Sequence, residues 1–299
     1  MRLSQKIRLG LLLLPLLLLL AFAPAGDRPA YRLFTSQGQV ADYDQMVAQL
    51  AQADVVLFGE QHNDPIAHWL ELQLAKDLAK AKGAGKLVLG LEMFERDVQP
   101  LVTQYAAGTL SDSAFERQSR PWPNYATDYR PLLQFAQGEH IPVIGTNAPR
   151  PFAHAVAQSS LKALDKLLVI DRTLLAPLPL QVNYELPGYK NMAAMFGGDS
   201  KAHGGGAANI IQAQALKDAT MAYFIQRSLA PGQTMLHLNG SYHSDHHDGI
   251  VAYLRQYAPE LRIKTLSVVT QSQLQQLDKG NIAVGDYIVV VPEDMTKTY

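Results

Sequence analysis

The sequence predicts an α/β fold in which a mainly parallel sheet is flanked by helices and carries a smaller inserted helical domain. Three apolar runs, at 54–58, 86–91 and 234–238, lack the alternation of a strand that faces water on one side. Segments of helical length and periodicity separate these runs. Continuous apolar runs are typical of buried parallel strands, and their alternation with helices indicates βαβ units with right-handed crossovers.

Local signals place the other elements in chain order. Asp64 is predicted to cap a helix that begins at Pro65, because Asp favours the N-cap and Pro the first helical position. This helix continues to about residue 81, where glycines at 83–85 end it. The remaining predicted elements are a helix at 41–52, a strand at 141–147, a helix that begins at 148–150, a helix at 210–229, a helix that ends at 253, and strands at 262–270 and 286–291.

Two stretches interrupt this pattern and are predicted to be helical insertions, near 95–137 and near 177–209. The first is helical in composition and rich in aromatic residues. The second combines prolines and glycines, which break regular structure, with Tyr184, Tyr189 and His203. An irregular segment inside a large domain is commonly a lid or a binding insertion.

The segment 1–25 is predicted to be a secretory signal peptide. Arg2, Lys6 and Arg8 precede a leucine-rich stretch, and small residues at 23–25 offer a cleavage site. We therefore expect a single mature domain at 26–299 and a periplasmic location; an uncleaved membrane anchor is the alternative. The sequence has no cysteine, so neither cysteine lipidation nor a disulfide is available to it.

Charge argues against nucleic acid as a partner. The whole chain has a formal net charge of −1. Without the three basic residues of the predicted signal peptide, 23 basic and 27 acidic residues remain, which gives a net charge of −4. No basic stripe of the kind that binds a phosphate backbone is present in the sequence.

Polar side chains follow the three apolar runs. Glu60 and His62 lie in the motif GEQH (59–62), Glu92 follows the second run, and His243 ends the motif NGSYH (239–243). Because open α/β sheets bind ligands beyond the carboxyl ends of their strands, we expect these four side chains at one edge. Together they suit a divalent metal that activates water, and a Glu–His pair alone suits general base catalysis. A polar network that only caps the strand ends is an equal alternative.

Other residues leave alternatives open. Arg150, beside a predicted strand end, suits either bidentate binding of an anion or pairing with a glutamate. His68 is predicted to be a packing or surface histidine, because it does not share a helix face with His62. The tyrosines and methionines of the 177–209 insertion suit packing on the host domain. They also suit haem, since a tyrosine phenolate can ligate its iron.

Five motifs, taken in order, resemble those of the ChaN family of haem-binding iron-uptake proteins, within the Tiki, TraB and erythromycin-esterase-like superfamily. The motifs are GEQH (59–62), LEMF (91–94), NAPR (147–150), AQALKDATMA (213–222) and NGSYH (239–243). The resemblance covers most of the mature chain. It implies an α/β domain with a smaller helical domain, haem as the cofactor, and a role in haem or iron uptake rather than in catalysis.

The resemblance also implies that two chains enclose two haems stacked face to face, each iron being held by a tyrosine while the partner chain contributes a histidine. We assign the tyrosine to Tyr189 first and to Tyr184 second, and the histidine to His203. Haem would then promote a homodimer, and an outer-membrane haem receptor system is the implied partner. We expect the tyrosine to lie apart from the strand-end residues.

Two features broaden this interpretation. Some ChaN-like proteins are outer-membrane lipoproteins, whereas a chain without cysteine is expected to be soluble in the periplasm. The superfamily also contains metal-dependent proteases and esterases, which use residues that match Gly59, His62, Glu92 and His243. A metal-dependent hydrolase with a strand-end Glu/His site is therefore the alternative function.

Overall fold

The computed structural model describes residues 28–196 and 206–299. Within these ranges the strands are β1 (Arg32–Thr35), β2 (Val55–Glu60), β3 (Leu87–Glu95), β4 (Val143–Asn147), β5 (Thr234–Gly240), β6 (Ile263–Gln271) and β7 (Tyr287–Pro292). They form one sheet in the order β1-β7-β6-β2-β5-β3-β4. Every neighbouring pair is parallel except β1 and β7. The predicted α/β class with a mainly parallel sheet is confirmed.

The three apolar runs form strands that lie side by side in the middle of the sheet. β5 pairs with β2 on one side and with β3 on the other. Every residue of β2 and β5 is buried, because helices cover both faces of the sheet. Successive residues of β2 alternate between the two apolar clusters, with Val56 and Phe58 in one and Val55 and Leu57 in the other.

The helices within the described ranges are α1 (Tyr43–Leu50), α2 (Pro65–Lys82), α3 (Gln99–Ala106), α4 (Asp112–Gln118), α5 (Arg130–Gly138), α6 (Arg150–Ser159), α7 (Val169–Arg172), α8 (Pro187–Phe196), α9 (Gly206–Arg227) and α10 (Ile250–Tyr257). Helices α1, α2, α3 and α5 pack on one face of the sheet, whereas α9 and α10 pack on the other. No helix in the described part of the chain is long and apolar enough to span a membrane.

The start of α2 follows its sequence signals closely. The Asp64 carboxylate accepts hydrogen bonds from the backbone amides of Ile66 and Ala67, at 3.0 and 3.1 Å. Pro65 occupies the first helical position, and the helix ends at Gly83, whose φ is 88°. This cap fixes the path of the chain from the end of β2 into α2 and so positions the loop that carries His62.

Two parts of the fold differ from the pattern predicted from the sequence. β1 was not predicted, and it is the antiparallel edge of the sheet. β3 continues to Glu95, so Glu92 lies within the strand, next to an irregularity in its pairing with β4. Segment 95–137, which was predicted to be helical, contains α3, α4, a π-helical turn at Tyr125–Tyr129 and most of α5. His203 and the predicted signal peptide lie outside the described residues.

Candidate functional site

Glu60 and His62 form a hydrogen-bonded pair where β2 ends. The Glu60 carboxylate is buried, and its Oε1 lies 2.7 Å from Nδ1 of His62 and 2.6 Å from the hydroxyl of Tyr129. When Glu60 is ionised it can only accept hydrogen bonds, so Nδ1 of His62 then carries the proton. The lone pair of a neutral His62 therefore lies on Nε2.

Gly240, the last residue of β5, lets its backbone approach the His62 ring. A Cβ atom at position 240 would lie 2.6 Å from Cε1 of His62 and 2.7 Å from Nε2, closer than atoms can approach. On another side of the ring, Trp122 makes an edge-to-face contact with a centroid separation of 4.8 Å. The backbone of β5 and an aromatic side chain thus fix the orientation of His62.

A second network of buried, interacting side chains extends from Glu92 on β3 to Tyr189 on α8, which lies in the 177–209 insertion. Glu92 accepts a hydrogen bond from the amide of Gly240 at 2.7 Å, and its other oxygen lies 3.1 Å from Nε2 of His243. Nδ1 of His243 pairs with Asp218 of α9, and the second oxygen of Asp218 accepts from the Tyr189 hydroxyl at 2.6 Å. Both nitrogens of His243 therefore face carboxylates, which favours the imidazolium form.

The pKa values of Glu92 and Glu60, at the carboxyl-terminal edge of the sheet, are shifted in opposite directions. Burial alone would lower the pKa of His243, but the charges of Glu92 and Asp218 raise it to about 10. The pKa of Glu92 is held below its usual range, because the His243 charge outweighs the effect of burial. Burial and the charge of Glu71 instead raise the pKa of Glu60 to about 8. Glu92 is thus an anion at neutral pH, whereas Glu60 favours a proton or a cation.

The structure brings Glu60, His62, Glu92 and His243 to one pocket of about 420 Å³. This volume lies within the range of about 300–1,000 Å³ for small-molecule sites. The pocket is also lined by residues that the sequence did not single out, namely Gln61, Trp122, Met192, Gln214, Lys217, Gly240, Ser241 and Tyr242. We call it the strand-end pocket.

The other predicted site residues lie in different surroundings. Tyr189 is buried and hydrogen-bonded to Asp218, so the expectation that it lies apart from the strand-end residues is wrong. Tyr184 is partly exposed, and its hydroxyl accepts from Gln212 at 2.9 Å. Arg150 lies outside the strand-end pocket and faces Glu95, with 3.5 Å between Nε and Oε1. His203 lies outside the described residues.

His68 belongs to a compact cluster with two glutamates. Among the described residues, Glu60, His68 and Glu71 form a group whose potential ligand atoms all lie within 4.8 Å of one another. The prediction of a packing or surface histidine is partly right, because His68 is buried, but the residue packs against carboxylates. The predicted set of Glu60, His62, Glu92 and His243 is instead divided between two hydrogen-bonded networks.

Comparison with known proteins places the chain in a family. The family model for haem-binding uptake proteins of the Tiki superfamily, ChaN, matches residues 46–254, more than half of the chain. The chain belongs to the ChaN family. The resemblance drawn from the five motifs is confirmed, and the matched range contains every residue that lines the strand-end pocket.

Comparison with the solved structure of a ChaN protein supports the fold. ChaN of Campylobacter jejuni, described with cofacial haem binding, is 16% identical, with a TM-score of 0.66 over 87% of this chain and 96% of that chain. The type III effector HopBA1 is 12% identical, with a TM-score of 0.46 over 84% of this chain and 93% of its own. A mutant of the erythromycin esterase EreC has the same identity and TM-score, over 88% of this chain and 83% of its own. A search of curated proteins found no match.

The most important residues missed from the sequence lie on helices rather than at strand ends. Asp218 is buried among the apolar residues of α9, and Glu71 occupies a similar position on α2. A carboxylate on the apolar face of a helix is a detectable signal, because burial of an unpaired charge is costly. The contribution of Tyr129 could not be read in this way, since a buried tyrosine is ordinary core material.

Proposed function

We propose that this member of the ChaN family binds haem and serves haem or iron uptake. The family match over residues 46–254 carries the proposal, because it includes the whole lining of the strand-end pocket. This role does not require the divalent metal ion that a metal-dependent hydrolase would use. The function requires only a surface for the macrocycle, a ligand for the iron and a partner for the propionate carboxylates.

The strand-end pocket offers a surface for the macrocycle and a partner for the propionate carboxylates. Trp122, Met192 and Tyr242 supply aromatic and thioether surface, which suits a flat apolar macrocycle. Lys217 lines the same pocket and is the natural partner for a propionate. When bound, haem would supply a ferric iron that prefers an anionic oxygen ligand such as a phenolate.

The tyrosines that are candidate iron ligands differ in their exposure to solvent. Tyr189 is 3% exposed, and its hydroxyl would have to leave Asp218 before it could bind iron. Burial and the Asp218 charge also raise the pKa of Tyr189, which opposes formation of a phenolate. Tyr184 is 43% exposed, and Tyr242 is 64% exposed and lines the strand-end pocket. In the described conformation Tyr242 is therefore the best ligand, ahead of our sequence assignments to Tyr184 and Tyr189.

Haem titration of the purified mature protein tests this proposal. We expect a stoichiometric complex with the absorption bands of tyrosinate-ligated high-spin ferric haem. Tyr242→Phe keeps the ring but removes the ligand oxygen, so affinity should fall about tenfold or more and the spectrum should change. Tyr184→Phe and Tyr189→Phe are tested in parallel, and Tyr31→Phe, which lies outside the strand-end pocket, is the control.

Each outcome of the titration has a definite meaning. Failure of the wild-type protein to bind haem at micromolar concentrations would refute the function itself. A normal spectrum in Tyr242→Phe together with a changed one in Tyr184→Phe or Tyr189→Phe would keep the function and move the iron ligand to that residue.

Dimerisation and export complete the proposal. A macrocycle beside the exposed Tyr242 would keep apolar surface in water, and stacking against a second haem would remove it at roughly 25 cal/mol per Å². Sedimentation with and without haem should then show a shift from monomer towards dimer; unchanged mass would favour independent chains. Cell fractionation should find the protein in the periplasm, from which an outer-membrane haem receptor system is the expected partner.

A metal-dependent hydrolase is the second candidate, and one observation favours it. Oε1 of Glu60 lies 2.7 Å from Nδ1 of His62, so with Glu60 ionised the lone pair of a neutral His62 lies on Nε2, and His62 lines the strand-end pocket. A carboxylate that orients a histidine is the usual arrangement of a general base. Turnover of a peptide or ester that is lost in His62→Gln would support this function; absence of turnover with added divalent metals would exclude it.

A further inference from the structure

A buried cluster lies behind the strand-end pocket, on the side of β2 that packs against α2. It consists of Glu60 at the end of β2 and of His68 and Glu71 on α2, all of which are almost completely buried. Nδ1 of His68 lies 3.0 Å from Oε2 of Glu71 and 3.7 Å from Oε2 of Glu60. His68 and Glu71 do not line the strand-end pocket, whereas Glu60 lines it.

The surroundings of His68 settle which nitrogen carries its proton. Nε2 lies 3.0 Å from the backbone carbonyl oxygen of His62, which can only accept a hydrogen bond. Nε2 is therefore protonated, and the lone pair of a neutral His68 lies on Nδ1, directed at two carboxylate oxygens. A histidine whose other nitrogen donates to a backbone carbonyl has the geometry common among metal ligands.

Two carboxylate oxygens of the cluster have no hydrogen-bond partner within residues 28–196 and 206–299. These atoms, Oε2 of Glu60 and Oε1 of Glu71, are buried, although buried polar atoms are nearly always satisfied. The other oxygens are occupied, since Oε1 of Glu60 accepts from Tyr129 and Oε2 of Glu71 faces His68. Two unpaired oxygens thus belong to a buried cluster in which each residue offers a potential ligand atom within 4.8 Å of the others.

We propose that Glu60, His68 and Glu71 form a buried divalent metal site that shares only Glu60 with the strand-end pocket. Metal–ligand bonds of about 2.0–2.2 Å place neighbouring ligands about 3.4 Å apart in tetrahedral geometry, close to the observed 3.0 and 3.7 Å. One imidazole and two carboxylates suit Zn²⁺, Mn²⁺ or Fe²⁺. A divalent ion held there would neutralise both carboxylates and give the unpaired Oε2 of Glu60 a partner.

Neighbouring side chains complete the arrangement. Asn124 donates to the same His62 carbonyl at 2.8 Å and to Asp128 at 2.6 Å, and Oδ2 of Asp128 lies 3.4 Å from Nε2 of His68. These contacts hold the imidazole from the side opposite the proposed ion. Groups in this position orient the ligand and increase its basicity.

Metal binding by isosteric variants tests the site. The purified protein is stripped with chelator and titrated with Zn²⁺ and with Mn²⁺, and bound metal is measured after dialysis. We expect one ion per chain in the wild type and an affinity lowered at least about tenfold in Glu71→Gln. Asp77→Asn, on the same helix but hydrogen-bonded to Tyr43, is the matched control and should bind normally. Glu92→Gln, in the strand-end pocket, should also bind normally.

The alternatives give opposite results. Loss of metal in Glu92→Gln with retention in Glu71→Gln would place the ion in the strand-end pocket and refute the proposal. Absence of stoichiometric metal from the wild type would also refute it, and the unpaired oxygens would then share a proton. Should Glu71→Gln not fold, anomalous diffraction from wild-type crystals containing Zn²⁺ decides the matter: density between His68 and the two glutamates supports the site, and density elsewhere or nowhere overturns it.

Discussion

Replacement of Asp218 by Asn should destabilise the protein strongly, because it breaks a buried ion pair with His243, a residue of the strand-end pocket. Asp218 is fully buried, and it accepts hydrogen bonds from both Tyr189 and His243. The Asn carbonyl can still accept from Tyr189, but the negative charge beside the imidazolium is lost. Removal of one member of a buried ion pair costs about 3–5 kcal/mol, whereas a neutral hydrogen bond contributes about 1 kcal/mol.

Guanidinium denaturation at pH 7 measures this difference. Tyr189→Phe is the matched control, because it removes the other hydrogen bond of Asp218 and keeps the ion pair with His243. We expect this control to lower the free energy of unfolding by about 1–3 kcal/mol, clearly less than Asp218→Asn. If the two substitutions cost the same, the charge of Asp218 does not stabilise His243 and the reasoning fails.

Three further predictions concern the site and the stability of the sheet. Gly240→Ala should displace the His62 ring and cost about 1–3 kcal/mol in a thermal melt, whereas Gly85→Ala, where a Cβ meets nothing within 4 Å, should cost little. The raised pKa of His243, about 10, means that its stabilising charge is fully present below about pH 6.5 and is lost as pH rises through 10. Urea denaturation across this range should show that slope in the wild type and not in His243→Gln. Despite the burial of Asp286, hydrogen bonds from partners that include His247 and Lys264 lower its pKa. Asp286→Asn should therefore lower the free energy of unfolding by about 1.5–3 kcal/mol at pH 7. The difference from wild type should shrink as pH falls below about 4.

The central strands and the start of α2 could be predicted because their signals are local. A strand buried on both faces has to be apolar at every position, and Asp64 followed by Pro65 satisfies the first turn of a helix without help from the rest of the fold. The edge strand β1 could not be predicted in this way. Its four residues have a mixed burial pattern, and its pairing with β7 joins segments at opposite ends of the chain.

The four strand-end residues were also predictable, because topology alone brings the carboxyl ends of parallel strands together. Their partners were not. Asp218 and Tyr189 lie on two different helices, and they meet only because α8 packs against α9 beside the end of β5. Sequence spacing does not show which helices pack together. For this reason the 177–209 insertion and the strand ends were predicted to be separate sites.

Glu60 links the two proposed sites, because its two oxygens face different parts of the molecule. Oε1 holds Nδ1 of His62, whose ring lines the strand-end pocket, whereas Oε2 faces His68 and Glu71 in the buried cluster. A divalent ion in the cluster would keep Glu60 ionised despite its burial. An ionised Glu60 accepts a hydrogen bond from a protonated Nδ1 of His62, which leaves the lone pair of the ring on Nε2. A protonated Glu60 favours this tautomer less. Occupancy of the buried site would therefore set the tautomer of the histidine that the pocket presents to its ligand, and by thermodynamic linkage a ligand that contacts Nε2 would in turn strengthen metal binding.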